Sequence, residues 1–81
     1  MRVEFSERLQ ESFAIAPAEI KKAFRKQVEF LQFNLRHPSL RAKKYSESEN
    51  IWQARVGHDW RFYFKISGDV YIVVDLTKHP K

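Results

Sequence analysis

Cysteine is absent from the 81 residues, which excludes a disulfide framework, a thiolate metal site and a cysteine nucleophile, and leaves stability to packing. Glycine and proline are scarce, two and three, too few for a linker or collagen-like sequence. No apolar run approaches the ~20 residues that cross a bilayer, and the N-terminus is amphipathic rather than leader-like. The expectation is a chain neither membrane-spanning nor exported, at home in a reducing cytoplasm. The three histidines, His37, His58 and His79, lie far apart with no HExxH spacing, and there is no glycine-rich phosphate loop. Neither a metal nor a cofactor is therefore expected. Acidic side chains are the minority, 10 against 15 lysines and arginines, for a net charge of +5. Such a balance favours polyanionic partners, nucleic acid or an acidic protein.

Hydrophobic residues make up 43% of the chain and aromatic residues 15%, enough for one core, and the length allows one domain over residues 1–81. Arg2 to Phe5 alternates as a short strand. Ser6 then caps a helix running to about Ile15, with Leu9 and Phe13 on one face. Pro17 opens a second helix as a first-turn residue. Its apolar stripe is Ile20, Phe24, Val28, Leu31 and Leu35, and Pro38 ends it near Arg36 or His37, where the imidazole suits the negative end of the helix dipole.

From Ile51 the period becomes two, with β-branched and aromatic residues, and strands replace helices. Turns at Gly57-His58-Asp59 and Ser67-Gly68-Asp69 divide three strands into an antiparallel meander. The fold class predicted is α+β: a short N-terminal strand, a helical hairpin and a three-stranded antiparallel meander forming a twisted sheet with helices on one face. Alternation assigns Trp52, Ala54, Val56, Trp60, Phe62, Phe64, Val70, Ile72 and Val74 to the helix side. It assigns Gln53, Arg55, Arg61, Tyr63, Lys65, Tyr71 and Asp75 to the other. This second set is cationic and aromatic, suited to phosphate and base contact, although ordinary solvated cross-strand pairs read the same way. Residues 35–45, LRHPSLRAKKY, add four cations and no carboxylate. Of these, Arg41, Lys43 and Lys44 form the strongest local cluster, a backbone clamp for RNA or else a solubilising loop.

The stretch HPSLRAKK, followed by IWQARVGHDWRFYFKISGDVYIVVDLTKH, resembles the RelE-type toxins of bacterial and archaeal toxin–antitoxin pairs, within the RelE/ParE superfamily. The informative residues are the strand ending in Arg55, the Trp60-Arg61 pair and the last strand ending in Lys78-His79. The resemblance implies a RelE-like fold and a metal-independent mRNA endoribonuclease associated with the ribosome, inhibiting translation. It also implies a cognate acidic antitoxin that neutralises the toxin, with operator DNA contacted only through the antitoxin complex.

The implied reaction is attack of a ribose 2′-hydroxyl on the adjacent phosphodiester, giving a 2′,3′-cyclic phosphate. Arg55 and Arg61 match the family's phosphate-stabilising positions, and both offer forked donors. His79 matches the late position that assists proton transfer, and an imidazole is the natural acid near neutral pH. Arg41, Lys43, Lys44, Tyr63, Lys65 and Lys78 are the candidate RNA- or ribosome-binding residues. Two other classes share this scaffold. One is a ParE-like inhibitor of a protein target such as DNA gyrase, favoured by Gln53 where the nuclease pattern has a basic residue and by the missing C-terminal stacking tyrosine. The other is an inactive module that only binds antitoxin or RNA.

Overall fold

The computed structural model describes residues 1–79. Its elements are β1 (Arg2–Phe5), α1 (Glu7–Ile15), α2 (Ala18–Phe33), β2 (Lys43–Ser46), β3 (Ile51–Val56), β4 (Trp60–Ser67) and β5 (Val70–Lys78). The five strands form one sheet in the order β1-β5-β4-β3-β2. β1 runs parallel to β5, and every other pair is antiparallel. The α+β class and the meander expected from the sequence are present, and β2 extends the meander by one edge strand.

Local chemistry sets the helix boundaries. The Ser6 hydroxyl accepts from the Leu9 amide at 3.0 Å, capping α1, and donates to the Val74 carbonyl at 2.9 Å. One side chain thus starts the helix and moors it to β5. Ser6→Ala is expected to cost about 1–2 kcal/mol, read as a lower urea midpoint with an unchanged slope. Pro17 sits one position before the place the sequence suggested: it is the N-cap residue of α2, and its carbonyl accepts from the Ile20 and Lys21 amides at 3.0 Å. α2 also ends earlier, at Phe33. Asn34 leaves the helix with an extended backbone, and its Oδ1 accepts from the Arg36 amide at 2.9 Å, the local competition typical of asparagine. His37 therefore lies outside the helix, and instead of meeting the dipole its ring stacks on Phe30 at 3.9 Å.

α2 lies on one face of the sheet, where Phe24, Val28 and Leu31 pack with Leu9, Leu40, Phe62, Phe64, Val73 and Leu76. Phe24 meets Phe62 edge-on at 5.4 Å. Each fully buried large side chain contributes about 1.5–3 kcal/mol, so this cluster is the main support of the fold.

The final strand differs from simple alternation. Tyr71 and Val73 face the helices, whereas Ile72 and Val74 were the residues expected there. The reason is a register shift opposite Tyr63 and Phe64: Phe64 pairs with Val73 and Tyr63 with Asp75, leaving Val74 as the extra residue of a bulge. Beyond it the alternation is reset, so Leu76 returns to the core and Asp75 keeps its outward side. Tyr71 is consequently a core residue, 5% exposed, and is lost from the outward surface.

Candidate nucleic-acid interface

Cross-strand register decides which side chains share the sheet face away from α2. Arg55 on β3 lies directly opposite Arg61 on β4, and Arg61 lies opposite Thr77 on β5. The next row on the same face is Lys43, Gln53, Tyr63 and Asp75. Two residues along a strand separate the rows, about 7 Å, which is the reach from a phosphate to its own base. Lys65 continues this face, exposed, opposite Ile72.

The two arginines differ in their freedom. Arg61 is 8% exposed, and its Nη1 donates to the Trp60 carbonyl at 2.8 Å and to the His58 carbonyl at 3.3 Å. Its guanidinium closes the β3–β4 turn, in which Gly57 takes the left-handed backbone the reversal needs (φ 62°). Arg55 is half-buried, and its side chain has no hydrogen-bond or ion-pair partner among the described residues. Like charges directly opposite one another on a sheet are destabilising, so the pair is a standing cost that an anion between the two would relieve.

His79 is exposed, and its amide donates to the Asp59 carbonyl, which fastens the end of the described chain to the turn that holds the Arg61 guanidinium. Gln53, 9% exposed, occupies the middle of the face as an uncharged side chain.

The basic cluster is divided by β2, whose polar sequence Lys43–Ser46 gives little strand signal. Lys43 points outward with Gln53. Lys44 pairs with Trp52 and falls on the opposite side, its ammonium 5.1 Å from the Trp52 ring and 2.8 Å from Asn50 Oδ1. Lys78 lies opposite Trp60 and likewise faces the helix side. Arg41 precedes β2 altogether. Of the candidates, then, Arg55, Arg61, Lys43, Tyr63 and Lys65 share one face, Arg41, Lys44 and Lys78 do not, and His79 is tethered by its backbone to the β3–β4 turn.

Sequence reasoning missed Tyr45 and Gln27. Tyr45 sits at the register shift between Lys44 and Ser46, is 63% exposed, and meets Tyr63 edge-on at 5.0 Å. With Arg8, Ile51, Asp75 and Thr77 these two rings line an open pocket of about 380 Å³. Within it the Asp75 carboxylate accepts from the Ser12 hydroxyl at 2.7 Å and pairs with Arg8 Nε at 3.1 Å, so its negative charge is already answered. Strand alternation through Lys43 and Tyr45 was the available signal for the tyrosine. Gln27, 8% exposed on α2, donates from Nε2 to the Ser39 carbonyl at 2.9 Å and to the Arg55 carbonyl at 2.8 Å, and accepts from the Ser39 hydroxyl at 2.6 Å. It fixes the backbone of Arg55 from behind.

Chemically, the face offers forked cationic donors for a phosphate and tyrosine rings for a neighbouring base, and an exposed histidine is tethered by its backbone to the β3–β4 turn. No protein-family model matches the chain, and no curated protein does. Solved structures do. A YoeB/ParE toxin from Agrobacterium tumefaciens superposes with a TM-score of 0.83 at 12% identity, over 99% of this chain and 100% of that one. The YoeB dimer from Staphylococcus aureus gives 0.82 at 13% identity, over 99% and 98%. A chain of the RelB–RelE antitoxin–toxin complex from Methanococcus jannaschii gives 0.77 at 22% identity, over 93% and 88%. The fold is that of the RelE-like toxins.

Proposed function

We propose that the chain is the toxin of a type II toxin–antitoxin pair, and that it acts in the cytoplasm as a metal-independent endoribonuclease on ribosome-bound messenger RNA. The observation that carries this reading is the pairing of Arg55 with Arg61 on the outward face of a RelE-like sheet. The β3–β4 turn uses Arg61, but no contact among the described residues calls for a second cation, Arg55, directly opposite it, whereas a phosphorane with an added negative charge does. In the proposed reaction a ribose 2′-hydroxyl gives its proton to solvent water as its oxygen attacks the adjacent phosphorus, the P–O5′ bond breaks, and a 2′,3′-cyclic phosphate and a 5′-hydroxyl result. Arg55 and Arg61 stabilise the phosphorane, and the His79 imidazole protonates the departing 5′-oxygen. Lys43 and Lys65 hold flanking phosphates, and Tyr63 stacks on a base. An acidic antitoxin, suited to the net charge of +5, blocks this face and brings the toxin to operator DNA only within the complex.

A second reading is a ParE-like toxin that inhibits a protein target such as DNA gyrase without RNA chemistry. One observation favours it: the Arg61 guanidinium already serves two backbone carbonyls, and the residue beside the pair is the neutral Gln53. Translation with purified ribosomes and a defined message separates the two. Primer-extension stops inside codons, on fragments ending in a cyclic phosphate, are expected from the wild-type protein. An intact message together with impaired DNA supercoiling would overturn the nuclease reading in favour of the second.

A further inference from the structure

Behind the edge of β3, on the side of α2, a cleft of about 520 Å³ is lined by Lys26, Phe30, His37, Arg41, Arg55 and His58 among others, with no carboxylate in its wall. It opens beside the segment that leads into β2, where the Arg55 amide donates to the Leu40 carbonyl at 2.8 Å. The backbone and ring around its donors are fixed. Arg41 holds a left-handed backbone (φ 45°) that a side chain of its size adopts at a cost. The preceding segment is fixed by the Gln27–Ser39 hydrogen bonds. The His37 ring is pinned between its stack on Phe30 and the Ser39 amide, which donates to Nδ1 at 3.2 Å, leaving Nε2 as the ring's donor. Neither Lys26 nor Arg41 has an ion-pair partner among the described residues.

We propose that this cleft is a second phosphate site, in which Lys26 and Arg41 grip the backbone of the same RNA after it passes the Arg55–Arg61 pair and turns around the end of β3. The inference rests on the RNA-binding reading above and adds a path and two residues to it. Phosphate is the chemistry that fits, because every charged side chain in the wall is a donor and the guanidinium fork matches two phosphate oxygens. Arg55 borders both surfaces, which makes them one track.

The test measures binding without cleavage. A short 2′-O-methyl RNA, which lacks the attacking hydroxyl, is titrated by fluorescence anisotropy against the wild type and a Lys26→Gln/Arg41→Asn double variant at several salt concentrations. Asparagine tolerates the left-handed backbone, and both side chains are exposed, so the fold is retained. Every cation taken off a single-stranded phosphate makes the slope of log K against log salt less negative by about 0.7, so a change of about 1.4 is expected from two. Amide NMR signals of Phe30, Gly57 and His58 are expected to shift on titration of the wild type. An unchanged slope, or shifts confined to the outward face, overturns the cleft. So does a polyglutamate peptide that shifts these signals when the RNA does not, since it assigns the cleft to an acidic protein. A wild-type protein that binds this RNA through the cleft yet leaves messages intact would sink the nuclease reading and leave this one standing.

Discussion

Arg55→Ala is expected to slow message cleavage on the order of 10²–10³-fold, the usual cost of removing one donor from a developing oxyanion, while the urea midpoint does not fall and rises slightly as the like-charge pair is relieved. The second half of that expectation follows from the structure: the Arg55 side chain is half-buried and makes no bond whose loss would strand a partner. Arg61→Ala should differ. It removes a comparable share of the rate, but it also deserts the carbonyls of His58 and Trp60, and an acceptor left unsatisfied costs about 1–3 kcal/mol. A rate loss with full stability at position 55, and a rate loss with a lowered midpoint at position 61, is the signature of one arginine kept for ligand and one shared with the turn. Single-turnover cleavage on programmed ribosomes beside urea denaturation reads both. If Arg55→Ala cleaves at the wild-type rate, the phosphate site is not on this face.

The asymmetry of the two arginines shows where the sequence was legible and where it was not. A period of two from Ile51 onward placed Arg55 and Arg61 on one side, because a β-strand allows only two directions and Trp52, Ala54, Val56, Phe62 and Phe64 claim the other. The same rule went astray at Val74. A bulge there changes the parity of β5, and nothing in the run VYIVVDL marks which valine is the extra one. β2 was hidden for a different reason. KKYS is an edge strand whose lysines deter further pairing, so its composition resembles a loop, and the cluster of Arg41, Lys43 and Lys44 looked like one patch until alternation split it. Exposure escaped reading too. A sequence tells which face Arg61 occupies, but not that its guanidinium folds back onto the carbonyls of its own turn.

Gln27 is the case that sequence patterning handles worst. It lies one residue before Val28 in the apolar stripe of α2, and an amide there reads as an ordinary solvated helix position. In the fold it is buried, with both Nε2 hydrogens and Oε1 engaged, and so joins α2 to the segment bearing Arg41 and to the end of β3 bearing Arg55. Gln27→Leu keeps the volume and removes all three bonds. Each of the two abandoned carbonyls costs about 1–3 kcal/mol, so a loss of roughly 2–6 kcal/mol is expected, offset only in part by the apolar side chain. That is a large share of the 5–15 kcal/mol a domain has to lose, and the urea midpoint should fall accordingly. Gln27→Glu separates hydrogen bonding from shape. A carboxylate has no donor for the Ser39 and Arg55 carbonyls and sets a negative charge against both, so it should destabilise more than leucine at neutral pH. Were leucine to leave the midpoint in place, the amide would not be what holds the two arginine-bearing segments against α2, and the positions of Arg41 and Arg55 would have to be set by packing alone.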